Sequence, residues 1–342
     1  MERSIVTGAA GFLGQHLVYR LLERGDKVRA LDISVPEDLP EGFAAGAEMT
    51  AGGVRGKGWI AGDISGAEWI AADIRDAEAV ASACKDMDTV YHLASLIPQR
   101  KANIETMRAV NIGGTRNVLD AARNAGLRRV IYLSSVEIFG VPKVVPCPED
   151  GELAPLGEYG RNKIEAENLC REACAAGLPV VMLRPPTITG SGLDEPFILS
   201  LLSAIQKGKP VTLLGKGTNR FQFIHVDDVV DACLLAAEHP DAAGEAFNIG
   251  GKDVPSIAEL VHLVASAVGS PSKVKLIPTT LAKIAIALLR PFGAAPLEPE
   301  HVVIAICDYV FDWSKAKRIL GWEPRWSVAD ALIDTYRSIY GG

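Results

Sequence analysis

The sequence contains no Cys-x-x-Cys pair. Its six cysteines, Cys84, Cys147, Cys170, Cys174, Cys233 and Cys307, are scattered; only Cys170 and Cys174 sit four apart, with no histidine near them. A structural zinc ion takes about four convergent ligands. No metal site is therefore expected, and the cysteines read as reduced thiols of the kind a reducing compartment keeps. Basic residues are in no excess either. The 35 Lys and Arg against 42 Asp and Glu leave a formal net charge of -7, and no run of like charge suggests a binding tail. Such a surface is ill suited to neutralising a phosphate backbone, so nucleic acid is set aside as a partner. Long clean apolar runs are absent too. The most apolar late stretch, LAKIAIALLRPFGAAPL from Leu281, is interrupted by Lys283, Arg290 and Pro291. It falls short of the ~20 apolar residues that a membrane span requires, and reads as a buried helix, a substrate cover or a helix in weak contact with a membrane surface. A strand begins within the first residues, in SIVTGAAGFLG, which leaves no room for a signal peptide. The expected location is cytoplasmic.

The 342 residues can bury a large core and carry two lobes. Short β-branched runs at Ser4–Thr7, Lys27–Leu31, Trp69–Ala72, Thr89–Leu93, Arg129–Leu133 and Pro179–Leu183 predict strands. Helical patterns lie between several of them, at Phe12–Arg24, Ala77–Cys84, Ile112–Ala125 and Gly160–Ala175. This alternation predicts an α/β fold, a doubly wound parallel sheet with helices on both faces. After Arg184 the rhythm loosens. Residues 1–184 are expected to form the sheet domain, and 185–342 mainly a smaller substrate-binding lobe, with some segments returning to the sheet. Asp312 to Tyr340 reads as two short helices around the turn GWEP. Residues 33–68 are glycine-rich, and WIAGDI at Trp59 is echoed by WIAADI at Trp69. The second copy is preferred as the third strand, because a helix-and-strand sequence follows it directly; the first reads as a hairpin or elaborated loop.

Gly8, Gly11 and Gly14 lie in TGAAGFLG, with Phe12 and Leu13, between an apolar strand and an apolar-periodic helix. Glycine at these places lets the backbone turn tightly, approach a pyrophosphate and pack helix against strand, with free N–H groups of the helix start facing the anion. The second strand ends at Asp32. A carboxylate there accepts the ribose hydroxyls and repels a 2′-phosphate, and Ile33, Ser34 and Val35 offer no arginine to bind one. NAD is the expected cofactor. Asp73, before Ile74 at the end of the third strand, is a candidate for the adenine amine and equally for the N-cap of the next helix.

YGRNK from Tyr159 to Lys163 carries the chemistry. Residues four apart share a helix face, so the phenol and ammonium point into one cleft. A free tyrosine has a pKa of about 10; an adjacent ammonium and an oxidised nicotinamide favour its phenolate. Such a group takes a hydroxyl proton during oxidation or returns one during reduction. Ser135, in LSSVEIFG at the end of the fifth strand, is placed to hydrogen-bond the same substrate oxygen. Ser135, Tyr159 and Lys163 are the candidate catalytic residues.

With these motifs in this order the chain resembles the extended short-chain dehydrogenase/reductases, the family of NAD-dependent epimerases, dehydratases and 3β-hydroxysteroid dehydrogenases. HLAS at His92, NIGGT at Asn111, LRPPTITG at Leu183, HVDDV at His225 and KAKRILGWEP at Lys315 extend the resemblance over nearly the whole chain. It implies that Leu93, Ala94 and Ser95 line the cofactor, that Asn111 steadies the neighbouring strand ends, that Pro186 lies near the nicotinamide, and that Lys163 also holds its ribose. It also implies a homodimer through the helices after Ile112 and after Tyr159. His92 and His225 read as structural.

The sequence departs from parts of that pattern. Sugar dehydratases carry an acidic pair after the catalytic hydroxyl, where this chain has Val136 and Glu137, so 4,6-dehydration is not expected. The arginine–aspartate pair that holds a diphosphate in sugar-nucleotide enzymes is replaced by Phe221 and Gln222, with Arg220 displaced by one residue and hence to the other face of a strand. A late R-x-G-D is absent. The expected reaction is interconversion of a hydrophobic, 3β-hydroxysteroid-like secondary alcohol and its ketone. Sugar-nucleotide epimerisation is the alternative, and complete Ser, Tyr and Lys positions argue against a non-catalytic NAD sensor.

Overall fold

The computed structural model describes residues 2–35, 63–97, 103–280 and 303–341. Side chains of successive strand residues point to opposite faces, and the strands here are apolar on both. Val6, Ile131, Val181 and Leu183 join one buried layer, while Ile5, Val90, Val130, Tyr132, Val180 and Met182 join the other. A sheet buried twice needs helices on both sides. The strands β1 (Arg3–Thr7), β2 (Lys27–Asp32), β3 (Glu68–Ala71), β4 (Thr89–His92), β5 (Arg129–Leu133) and β6 (Val180–Arg184) stand in the order 3-2-1-4-5-6. All neighbours are parallel.

α1 (Phe12–Glu23) packs into the first layer. α2 (Ala77–Cys84), α4 (Thr115–Asn124) and α5 (Glu158–Ala175) pack into the second. α3 (Ile104–Arg108) runs through a π-helical turn, Ala109–Gly114, into α4. The expected helix over Ile112–Ala125 therefore begins earlier and is not α-helical in its first turn. A Cβ at Gly114 would fall 2.4 Å from Ile74 Cδ1, so a side chain here would have to push Ile74 aside.

Later segments divide between the two regions. α7 (Val226–Glu238) packs into the first layer, and β10 (Ala246–Asn248) pairs with β6 as the seventh strand. The smaller lobe has its own core of Ile198, Leu202, Phe223, Val261, Val328 and Leu332 among others. It gathers α6 (Pro196–Gln206), α8 (Ile257–Ala267) and the last helix, Val328–Tyr340, around short parallel pairs. These pairs are β7 (Thr187–Thr189) with β9 (Phe223–His225), and β8 (Val211–Leu214) with β11 (Val274–Ile277). The two late helices, Ser314–Leu320 and Val328–Tyr340, flank the turn at Gly321, whose φ is 67°.

The strand at Glu68–Ala71 pairs with β2 in the place expected of the second tryptophan copy. The first copy's Trp59–Gly62 and most of the glycine-rich stretch, 36–62, lie outside the described residues, as does the apolar segment from Leu281 to 300. All six cysteines are free. Among the described residues no helix is long and apolar enough to cross a membrane, and no cluster of three or more His, Cys, Asp and Glu could hold a metal ion.

Candidate active site

The turn from β1 into α1 is closed largely by backbone hydrogen bonds. Gly8 N–H donates to Leu31 O at 2.9 Å and Gly11 N–H to Gly8 O at 3.1 Å. Gly8 has φ 73°, and a Cβ there would sit 2.7 Å from Ala94 N; one at Gly14 would sit 2.1 Å from Gly8 O. Both positions exclude any side chain. Phe12 and Leu13 follow in the helix start. α1 has no side-chain cap and no acidic residue in its first turn, whereas α2, α6, α8 and the last helix are capped by Asp76, Glu195, Ser256 and Ser327. Its first N–H groups thus keep their capacity for an anion.

Asp32 closes β2 beside this turn. Its carboxylate accepts Ala10 N–H at 3.0 Å and Ser34 N–H at 3.2 Å. Burial pushes its pKa up, and these hydrogen bonds oppose the shift. The glycine cradle, the uncapped helix and this carboxylate together fit a dinucleotide: Gly8, Gly11 and Gly14 for the pyrophosphate, and Asp32 for the adenosine ribose. Asp73 is placed differently from one of its two readings. It chelates Arg75 through contacts of 2.6–3.1 Å, and the N-cap of α2 is Asp76, which accepts Glu78 and Ala79 N–H. The side chain of Ile74 is buried against Gly114.

Leu93, Ala94 and Ser95 continue β4 over the glycine turn. Asn111 bridges this segment with both halves of its amide: Oδ1 accepts Leu96 N–H at 2.7 Å and Ser95 O–H at 3.1 Å, and Nδ2 donates to Leu96 O at 2.9 Å. His92 lies beneath them, fully enclosed. One ring nitrogen meets Thr7 Oγ1 at 2.7 Å and the other meets Thr115 Oγ1 at 3.0 Å. Burial holds its pKa down at about 3, so the ring stays neutral and stitches β1, β4 and α4 together. His225 caps α7, accepting Asp227 N–H at 3.2 Å, and stacks on Trp326 with ring centroids 4.2 Å apart.

Ser135 follows β5 and caps a short 3₁₀ turn, Val136–Phe139, by accepting Glu137 N–H at 3.1 Å. That bond uses an oxygen lone pair and leaves the O–H to donate. α5 packs on this turn because residue 160 is glycine; a Cβ there would fall 2.7 Å from Glu137 O. The close approach brings Ser135, Tyr159 and Lys163 into one region. Pro186 is buried two residues beyond the end of β6, and Val136 N–H donates to its neighbour Pro185 O at 3.2 Å.

Lys163 Nζ donates to Leu133 O at 2.7 Å and lies 5.0 Å from the Tyr132 ring centroid and 5.4 Å from that of Tyr159. Burial lowers its pKa to about 8. The Tyr159 phenol departs from the sequence expectation. Burial first, and then the Glu137 carboxylate, push its pKa up, while a hydrogen bond with Ser95 works the other way. The protein's own groups thus hold Tyr159 as a phenol.

Sequence reading passed over three buried residues behind the site. Arg184 grips Glu167 at 2.8 Å and 2.7 Å, and Ser134 O–H donates to Glu167 at 2.7 Å. Glu167 stands four residues after Lys163, as Lys163 stands four after Tyr159, and that spacing was the available signal.

The sequence profile of the NAD dependent epimerase/dehydratase family matches residues 4–250. The chain is 29% identical to a UDP-glucose 4-epimerase of Mycolicibacterium smegmatis, over 97% of each. It is also 29% identical to a 3 beta-hydroxysteroid dehydrogenase/Delta 5-->4-isomerase of Mycobacterium tuberculosis, over 98% of this chain and 89% of that one. The structure of UDP-glucuronic acid 4-epimerase from Bacillus cereus in complex with NAD superposes with a TM-score of 0.75, at 25% identity over 99% of this chain and 98% of that chain. A glycine cradle for the dinucleotide, a doubly wound sheet and a match over most of the length agree: this chain belongs to the NAD dependent epimerase/dehydratase family, as an NAD-dependent oxidoreductase of the extended short-chain kind.

Proposed function

We propose that the protein interconverts a hydrophobic secondary alcohol, 3β-hydroxysteroid-like, and its ketone. In this reading Ser135 donates a hydrogen bond to the reacting oxygen and Tyr159 exchanges the proton with it. Lys163 supplies the positive charge beside the phenol and further N–H groups for the nicotinamide ribose. Bound NAD supplies the hydride acceptor and, when oxidised, a cationic ring that favours loss of the phenol proton. Glu137, on the adjacent turn, opposes that loss, so the proton transfer depends on cofactor and Lys163 together. Asp73 and Ile74 border the adenine end; Leu93, Ala94, Ser95 and Pro186 line the path to the nicotinamide.

The observation that carries the substrate class is the lack of a cation at the expected diphosphate positions, which adjoin an aromatic cluster beside the 3₁₀ turn. Phe221 stacks on Tyr309 with centroids 5.2 Å apart and packs on Phe223 at 4.9 Å, and Tyr309 meets Phe311 edge-on at 4.7 Å. Gln222 is buried, donating to Gly251 O and accepting Phe311 N–H, each at 2.9 Å. Neither residue at the expected diphosphate positions is cationic. Arg220 is paired with Asp308 at 2.9 Å, half exposed. Phe223, Tyr309 and Phe311 are buried within this cluster, and the partly exposed side chain, Phe221, is aromatic rather than cationic, which suits an apolar ring system better than a diphosphate.

Sugar-nucleotide epimerisation is the second reading. Its support is the similarity to UDP-glucose 4-epimerase over 97% of both chains, with Arg220 as the candidate phosphate contact. A melting experiment separates the two, since a ligand that binds the native state raises the melting temperature. With NAD present, a 3β-hydroxysteroid is expected to raise it and UDP to leave it unchanged. A rise with UDP and none with the steroid contradicts the proposal. The family resemblance further implies a homodimer through α4 and α5; light scattering is expected to give the dimer mass, and a monomer mass contradicts it.

A further inference from the structure

The row Tyr159, Lys163, Glu167 follows one face of α5 at intervals of four residues. Its third member meets neither cofactor crevice nor solvent, yet it holds the strand end that carries Ser135. We propose that Glu167 is a positioning residue whose buried carboxylate, clamped by Arg184, fixes Ser134 and thereby sets Ser135 and Lys163 for the reaction. This rests on the roles proposed above for Ser135, Tyr159 and Lys163.

The geometry works from both sides of β5. Lys163 Nζ holds Leu133 O at 2.7 Å, and Glu167, one turn on, holds the hydroxyl of the next residue, Ser134, also at 2.7 Å. Ser134 N–H in turn donates to Leu183 O at 2.7 Å, tying the end of β5 to β6 one residue before Ser135. Arg184 binds Glu167 through Nε and Nη2, reaches Glu149 O with Nη1 at 2.8 Å, and lies 5.3 Å from the Phe139 ring centroid at the end of the 3₁₀ turn. The Glu167 and Arg184 side chains are each 3% exposed. A carboxylate so enclosed persists only with such partners, and Arg184, with Arg171 at 2.9 Å, keeps its pKa low against burial.

Charge follows geometry. The groups facing Lys163 are Tyr159, Glu167 and Cys170 on α5, Tyr132 on β5, Glu137 on the 3₁₀ turn and His92 on β4. His92 is neutral, and burial keeps the Cys170 thiol and both phenols protonated. Glu167 and Glu137 are therefore the anions that sustain the ammonium against burial. Removing the Glu167 charge must make Lys163 lose its proton at lower pH, whereas loss of folding would move that midpoint the other way, up towards the ordinary lysine value of 10.5.

Glu167→Gln preserves shape and one acceptor while removing the charge. The Lys163 side-chain resonance, assigned through Lys163→Arg in the NAD-bound protein, is followed by NMR against pH. In Glu167→Gln the midpoint is expected at lower pH than in the wild type. The basic limb of kcat, on whichever of a 3β-hydroxysteroid or UDP-glucose is turned over, moves with it. A folded Glu167→Gln with an unchanged midpoint overturns the inference. Where Glu167→Gln does not fold, Ser134→Ala decides: about a tenfold loss of kcat at unchanged KM and NAD affinity supports it, and wild-type kcat overturns it. Tyr159→Phe tests the underlying assignment separately. If that variant keeps turnover while Glu167→Gln still shifts Lys163, the assignment fails and the electrostatic coupling stands.

Discussion

Asp32 and Tyr159 show how far a single residue can be read before its surroundings are known. Asp32 is legible because a carboxylate closing the second strand of a glycine-signature unit has few other uses, and its side chain does lie on that turn, held by Ala10 and Ser34 N–H groups. Losing a hydrogen bond to a charged group costs about 1.5–3 kcal/mol. Asp32→Ala is therefore expected to weaken NAD by about tenfold or more while NADP, freed of the repulsion, weakens less or gains. Titration of both cofactors checks this, and an unchanged preference removes Asp32 from the ribose site. Tyr159 was legible as a candidate but not in its electrostatics. The i, i+4 lysine announces a charge, yet burial and Glu137 outweigh it, and neither is visible in a five-residue motif. Asp73 illustrates the same limit, since its neighbour Arg75 and the competing cap Asp76 decide its geometry.

Elements were the most legible level, because period and punctuation act locally. Doubly apolar strands bounded by helices specify the parallel sheet, and glycine at the β1–α1 turn specifies where a backbone must pass close. The π turn at Ala109–Gly114 was not legible. It lies where Gly114 packs against Ile74, a tertiary contact across some forty residues that local pattern does not show. Glu167 belongs here as well: its spacing was in plain view, but its partner Arg184 comes from another element. His92 joins three elements in a neutral form, which gives a pH dependence. Its folded pKa, about 3, is lowered from an unfolded value of 6.5. The unfolded chain binds the extra proton between those values, so stability is full above about 6.5 and falls as pH drops towards 3. From pH 7 to pH 5 the loss is about 2 kcal/mol. Urea unfolding at the two pH values is expected to show this difference in the wild type but not in a folded His92→Asn variant. Equal pH dependence in both contradicts the stitch.

Across the whole molecule, the sheet brings the glycine turn and the YGRNK face to one region, and a separate buried cluster gathers Tyr309 and Phe311 with the partly buried Phe221 against the 3₁₀ turn. The first follows from motifs and their order. The second does not, because Phe221, Tyr309 and Phe311 come from segments far apart in the sequence and meet only through β9 and the strand-like stretch before the late helices. The proposed substrate side therefore depends on tertiary assembly, and the proposed reaction side on local sequence. The central claim is that Tyr159 moves the proton while NAD takes the hydride from an apolar alcohol. The most direct measurement is NADH formation from NAD and a 3β-hydroxysteroid, in the wild type and in Tyr159→Phe. The account expects NADH from the wild type, a loss of about a hundredfold or more in the variant, and NAD affinity unchanged between them. Turnover in Tyr159→Phe at the wild-type rate, or no NADH from the alcohol together with interconversion of UDP-glucose and UDP-galactose, would contradict it.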